Sequence, residues 1–264
     1  MMAAATTPLF LSRLLLKPHS RQVMAEMAHP YEMHRTLMRA FPEATDHTKR
    51  KARDEFGVLF RAELDDLRGM VKLYVQSRIE PNWSFLNGLD DYLCADTEIP
   101  GYEHKDIMPA CRKIRSGQVL SFRLRANPTI RIAKQDDPMK GKRVAVARED
   151  QQIDWLIRKG QAAGEGAPGG FELLMEKVED VSGEVPLVRC VRVRSEGKKT
   201  GRKRDAAARQ ATTHMSVLFD GLLRVTDTNG FLETLVRGIG AGKAFGFGLL
   251  SVAPVNTSGL EDAT

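Results

Sequence analysis

The chain has 264 residues, a formal net charge of +6 and a sequence pI near 9.3, enough length for one large core or two small ones and a charge that favours polyanionic partners. Its three cysteines, Cys94, Cys111 and Cys190, are scattered without CxxC spacing, which argues against a disulfide framework or structural zinc and fits a reducing cytoplasm. The apolar run Leu9 to Leu16 is too short to span a bilayer and is interrupted by Ser12 and Arg13, so it reads as a buried strand, not as a signal peptide or membrane anchor.

In chain order, Met1 to Pro8 reads as a frayed extension, and a turn at Lys17 to Ser20 follows the first strand. A helical segment then covers Arg21 to Phe41, with Pro30 ending one helix and starting another in its first turn. Val58 to Leu64 and Val71 to Ser77 are strands joined through the polar stretch Asp65 to Gly69. Turn signals dominate Pro81 to Pro109, and no element is assigned there. Gln118 to Ala133 alternates as one long strand, with Leu120, Phe122, Leu124 and Ala126 on one face and Ser121, Arg123 and Arg125 on the other. Glu149 to Ala163 has helical spacing and leads into glycine-rich Gly160 to Gly170. Strands follow at Leu187 to Arg194 and Met215 to Val225, then a helix at Phe231 to Arg237 capped by Thr228 or Asn229, a last strand at Leu249 to Val255 and a polar tail from Asn256.

The order β, α, β, β, α, β is complete in the second half and begun in the first. It predicts an α+β protein of two tandem ferredoxin-like, RNA-recognition-like βαββαβ domains, residues 1–100 and 115–264.

Three stretches invite a chemical reading. On the helix after Pro30, Tyr31, His34 and Arg35 are near neighbours, with Met38 and Arg39 one turn further. A histidine carries a proton near neutral pH and an arginine grips phosphate in a fork, so the patch suits phosphodiester chemistry; a packed helix histidine is the competing reading. Ser195 to Arg204, with Lys198, Lys199, Arg202, Lys203 and Arg204, forms a basic finger where the second unit's hairpin turns. It either tracks a nucleic-acid backbone, helped by Arg123, Arg125, Arg131, Arg192 and Arg194, or is solvated. The glycine-rich stretch Arg237 to Gly248 fails the Walker A pattern at Arg237 and Ala244 and follows a helix instead of preceding one. It packs against the first domain or against a phosphate chain, with Lys243 as its cation. The six histidines show no HxxxH spacing and no GxSxG elbow occurs, so neither a metal nor a cofactor is expected and catalysis would be metal-free.

Leu11 to Leu16, Pro30 to Leu37, Phe122 to Thr129 and Gly238 to Leu250 together resemble the CRISPR RNA-processing endoribonucleases of type I-E systems, CasE, subunits of the Cascade surveillance complex. The likeness extends over almost the whole chain, apart from the first eight residues and the variable basic finger. The resemblance implies two ferredoxin-like domains and metal-independent cleavage of precursor RNA at the base of a CRISPR repeat hairpin. The ribose 2′-hydroxyl would attack, leaving a 2′,3′-cyclic phosphate and a 5′-hydroxyl, and the product would stay bound beside other Cascade subunits. It implies His34 as acid/base residue, Tyr31 as its companion and Arg39 as a supporting cation where relatives can carry lysine. Arg35, Arg123, Arg125, Lys243 and the finger would bind RNA. A non-catalytic RNA-hairpin-binding or assembly subunit of the same fold is the alternative; an enzyme acting on RNA 2′- or cyclic phosphates is disfavoured because it would call for a second histidine.

Overall fold

The first sheet is built around Phe10–Leu16 (β1), whose partners are Met70–Ser77 (β3) on one side and Tyr102–Asp106 (β4) on the other. In this computed structural model, residues 7–43, 55–94, 100–134, 137–161, 168–177, 187–201 and 212–255 are described. Leu59–Asp65 (β2) pairs with β3 across the predicted hairpin, giving the antiparallel order β2-β3-β1-β4. Between β1 and β2 lie Arg21–Ala28 (α1) and Pro30–Met38 (α2). Ser20 caps α1 by accepting a hydrogen bond from the Val23 amide, and α2 starts at Pro30, whose missing N–H costs nothing in a first turn. The second crossover contains a short 3-10 helix, Ser84–Gly88, before β4. Strand β4 lies beyond residue 100, the expected end of the first unit, and its sequence YEHKD is almost entirely exposed.

After a helical turn at Met108–Cys111 (α3), the second sheet opens with Val119–Ala126 (β5). The expected single strand through Ala133 is broken at Asn127-Pro128. Proline lacks the donor a central ladder needs, and the chain leaves the sheet as a separate hairpin, Thr129–Lys134 (β6) with Asp137–Ala145 (β7). Glu149–Gly160 (α4) follows, then the short strands Phe171–Leu173 (β8), Met175–Lys177 (β9) and Leu187–Arg189 (β10). Val191–Gly201 (β11) and Thr212–Val225 (β12) form the long hairpin, Thr228–Arg237 (α5) crosses back, and Leu250–Pro254 (β13) ends the sheet. The order β11-β12-β5-β13 repeats that of the first sheet, with β8 added against β12. Asp227, not Thr228 or Asn229, caps α5 by accepting from the amides of Asn229 and Gly230.

Each sheet has its own core. Leu14, Leu16, Met33, Leu37, Phe60, Leu73 and Trp83 fill the first; Leu120, Phe122, Leu124, Trp155, Phe219, Phe231 and Leu235 fill the second. Arg61 and Gln76 are among the side chains that tie the units together. The buried Arg61 guanidinium of β2 donates to Glu63 (2.5 Å), to the carbonyls of Leu249 (3.1 Å) and Arg123 (3.3 Å) and to the Ser251 hydroxyl (3.0 Å). Gln76 of β3 donates to the Leu235 carbonyl at the end of α5 (2.8 Å). The terminal extensions before Thr7 and after Val255, and most of the glycine-rich stretch after Gly160, lie outside the described residues.

Candidate active site

Helix α2 buries Tyr31, Met33, His34, Thr36 and Leu37 and exposes Arg35. Met33 and Leu37 enter the first core, while Tyr31 and His34 lie toward the glycine-rich loop. The Tyr31 and His34 rings are 6.2 Å apart between centroids, and His34 stacks on Phe60 of β2 at 6.1 Å with 12° between planes. Only 5% of His34 is exposed. Buried Glu26 of α1 accepts from Thr36 of α2 (2.6 Å), Tyr92 (2.6 Å) and Gln22 (2.9 Å), fixing α2 against α1. Burial, reinforced by the Glu26 carboxylate, raises the Tyr92 phenol well above its ordinary pKa.

The glycine loop packs against this helix. A 3-10 turn at Lys243–Phe245 is flanked by Gly242 and Gly246, both with left-handed backbone. Phe245 meets Tyr31 at 5.7 Å, and a Cβ on Gly246 would stand 3.2 Å from the Phe60 ring. Gly238 is pressed between the Gly248 carbonyl and Leu59, each 2.6 Å from where its Cβ would be. Of the two readings of this loop, packing against the first unit is thus realised, while Lys243 is left at the rim of a cavity. Behind it, Asn127 accepts from the Met215 amide (3.1 Å) and contacts His214 (3.0 Å), whose ring packs on Phe245 at 4.4 Å. The break at Asn127-Pro128 therefore also supports the loop.

The cavity, about 470 Å³, is lined by His34, Gly57, Leu59, Arg78, Arg237 and Lys243, among others. It places an imidazole beside three cationic side chains from both units, an arrangement suited to a phosphate and to moving a proton beside it. Among the described residues no group of three or more His, Cys, Asp or Glu side chains is arranged to hold a metal.

Full-length similarity identifies the family. The model described as "CRISPR associated protein" matches residues 9–254. This chain belongs to that family. Within it, the chain is 35% identical over 255 residues to the CRISPR-associated endoribonuclease Cse3 of Thermus thermophilus, covering 93% of this chain and all of that protein. It is 31% identical over 150 residues to the Cascade subunit CasE of Escherichia coli, covering 54% of this chain and 62% of that one. A Thermus thermophilus Cse3 structure bound to an RNA representing a pre-cleavage complex superposes with a TM-score of 0.66 at 34% identity, over 94% of this chain and all of that one. The tandem ferredoxin-like fold of the CRISPR-associated family is the fold seen here.

Not every expected site residue joins the cavity. Arg35 is exposed and paired with Glu32 at 2.8 Å. Arg39 ends α2 with its guanidinium 4.5 Å above the Phe85 ring, turned away from the cavity lining. Arg123 and Arg125 are both paired with carboxylates, Arg123 while still exposed. Arg123 bridges Glu63 (3.1 Å) and Asp220 (2.5 Å), and Arg125 grips Glu196 at 2.6 and 2.9 Å while donating to the Ala62 carbonyl. Burial would raise the carboxyl pKa of Glu63 and Glu196, but Arg61 and Arg123 outweigh it at Glu63, and Arg125 with Ser216 at Glu196, so both are held below the usual carboxylate range. Glu196 reaches Arg125 through a bulge between Ser195 and Lys198, where Gly197 is left-handed. Lys198 and Lys199 therefore sit in strand β11, not in a loose finger, and Arg202, Lys203 and Arg204 lie outside the described residues. Sequence reasoning missed Phe60, His214 and Arg78. The Gly57 and Arg78 pair had no local signature; a proline inside a central strand, Pro128, is the signal that could have found the break that brings His214 into place.

Proposed function

We propose that this chain is a CRISPR precursor-RNA endoribonuclease that cleaves at the base of a repeat hairpin and stays bound to its product within a Cascade complex. The carrying observation is the cavity that sets buried His34 among cations from both units, with the Tyr31 ring 6.2 Å from the imidazole between centroids. The full-length likeness to Cse3, whose structure was solved bound to an RNA representing a pre-cleavage complex, supports it. In the proposed reaction the 2′-oxygen bonds to the adjacent phosphorus as the bond from phosphorus to the 5′-oxygen breaks. One proton leaves the 2′-hydroxyl, one reaches the departing oxygen, and His34 carries one of these transfers with Tyr31 beside the phosphate. No metal takes part, and the products are a 2′,3′-cyclic phosphate and a 5′-hydroxyl. Arg39 adds positive charge from its place over Phe85, while Lys198, Lys199, Arg202, Lys203 and Arg204 hold the hairpin. The division into two domains, meeting between β4 and β5, and a cytoplasmic location belong to the same proposal; among the described residues no helix is long and apolar enough to cross a membrane.

The near-complete burial of His34 favours one rival, a non-catalytic hairpin-binding subunit in which the imidazole only packs on Phe60. Incubating purified protein with candidate repeat RNAs in EDTA and analysing the new 3′ ends separates the two. The expected outcome is cleavage with cyclic-phosphate ends, slowed at least about 10²-fold under single-turnover conditions by His34→Ala while hairpin binding persists. Undiminished cleavage by that variant would sink the assignment.

A further inference from the structure

We propose that Arg78 is a further phosphate-contacting residue of the His34 cavity, holding a non-bridging oxygen of the phosphodiester that reacts there; this rests on the endoribonuclease reading above. Arg78 directly follows β3, and its amide donates to the Phe56 carbonyl at 2.8 Å, which fixes the backbone beside the start of β2. Its side chain lies across Gly57, whose φ is +60°, and a Cβ there would stand 2.9 Å from Arg78 Nε, 3.0 Å from Cγ and 3.1 Å from Cδ. The glycine therefore provides both the turn and the channel in which the arginine stem runs to the cavity.

What sets Arg78 apart is its lack of an anion among the described residues. Arg61, Arg123 and Arg125 pair with Glu63, Asp220 and Glu196, and Arg237, its neighbour in the cavity lining, pairs with Glu233. Arg78 Nε is buried with no hydrogen-bond acceptor among the described residues, although a buried donor left unmet is costly. The cost is recovered by a ligand that brings acceptors of the right spacing, and a phosphodiester brings two non-bridging oxygens that fit the guanidinium fork. Negative charge on those oxygens grows as the 2′-oxygen bonds to phosphorus, so the contact strengthens in the transition state and acts mainly on rate. Arg39, the cation expected for this task, lies over Phe85 outside the cavity lining.

The test uses the full chain and a repeat hairpin that the wild type cleaves. Single-turnover rates of Arg78→Ala and Arg78→Lys are measured beside His34→Ala, with affinity read on a hairpin carrying a 2′-deoxy nucleotide at the cleavage position. Arg78→Ala is expected to cleave about 10²-fold more slowly with the affinity for the deoxy hairpin kept, to melt as a folded protein, and to recover part of its rate when guanidinium ion is added below denaturing concentration. Arg78→Lys should fall between the two. Wild-type cleavage by Arg78→Ala alongside slow His34→Ala overturns the role of Arg78 alone, as does slow cleavage with a lost melting transition and no guanidinium rescue. Wild-type cleavage by His34→Ala instead overturns the site itself.

Discussion

Arginines in two neighbouring regions of this molecule do opposite work. Along the seam between the sheets, Arg61, Arg123 and Arg125 each meet a carboxylate, and Arg61 and Arg125 also donate to carbonyls across the junction. In the cavity beside His34, Arg237 has Glu233, whereas Arg78 has no counter-ion among the described residues. A matched buried cation fixes geometry and offers little to a ligand, while an unmatched one holds an unfilled demand for an anion. Cationic residue type alone therefore does not tell a paired side chain from an unpaired one; the carboxylates around it do.

The contrast breaks first at Arg61. Arg61→Ala removes the donor to four acceptors and should cost about 3–5 kcal/mol of stability, read as a lower urea midpoint with the RNA site still formed in the fraction that folds; an unshifted midpoint would show that the seam is not held there. Next, Glu196→Gln leaves Arg125 without its carboxylate and should cost roughly 2 kcal/mol in the same measurement. An increase in hairpin affinity for that variant, with Arg125 released toward RNA, would instead blur the line between the two regions.

Acid sharpens it further. Glu63 and Glu196 have folded-state pKa values below their unfolded ones, so their contribution is fully present above the unfolded value of about 4.3 and is lost as pH falls through the lower folded value. Unfolding free energy should thus drop below about pH 4, and Glu196→Gln should flatten that slope. A drop centred near pH 6 would point to histidine instead. The smallest effect is expected on stability from Lys198→Ala with Lys199→Ala, within about 0.5 kcal/mol. The same pair should lower the salt dependence of hairpin binding by about one phosphate contact or two, and an unchanged salt slope would mark both lysines as solvated.

Features governed by nearest neighbours were legible in the sequence. Pro30 announced the helix break, Asp65 to Gly69 the hairpin, and the alternation of Leu120, Phe122 and Leu124 the central strand of the second sheet. Strand β4 escaped because an exposed edge strand reading YEHKD carries no apolar alternation. The hairpin β6–β7 escaped because alternation runs on through Pro128 while the hydrogen bonding does not. Within the site, the contact between Tyr31 and His34 follows from helical spacing. The fate of Arg125 does not, because its partner Glu196 arrives from 71 positions away and only through a bulge. Arg78 was equally silent, since its meaning depends on a glycine two strands of chain earlier and on a loop near the other terminus.

The walls of the His34 cavity come from residues 34 to 78 and from residues 236 to 244, which sets a clock on biosynthesis. A nascent chain can complete its first sheet once Asp106 has emerged from the ribosome, yet it still lacks half the cavity. The glycine loop that closes it is made well after the first sheet, so a chain grown only through Asp106 carries His34 and Arg78 without Arg237 and Lys243. A nuclease assembled this way would stay silent until residues 236 to 244 have joined the site.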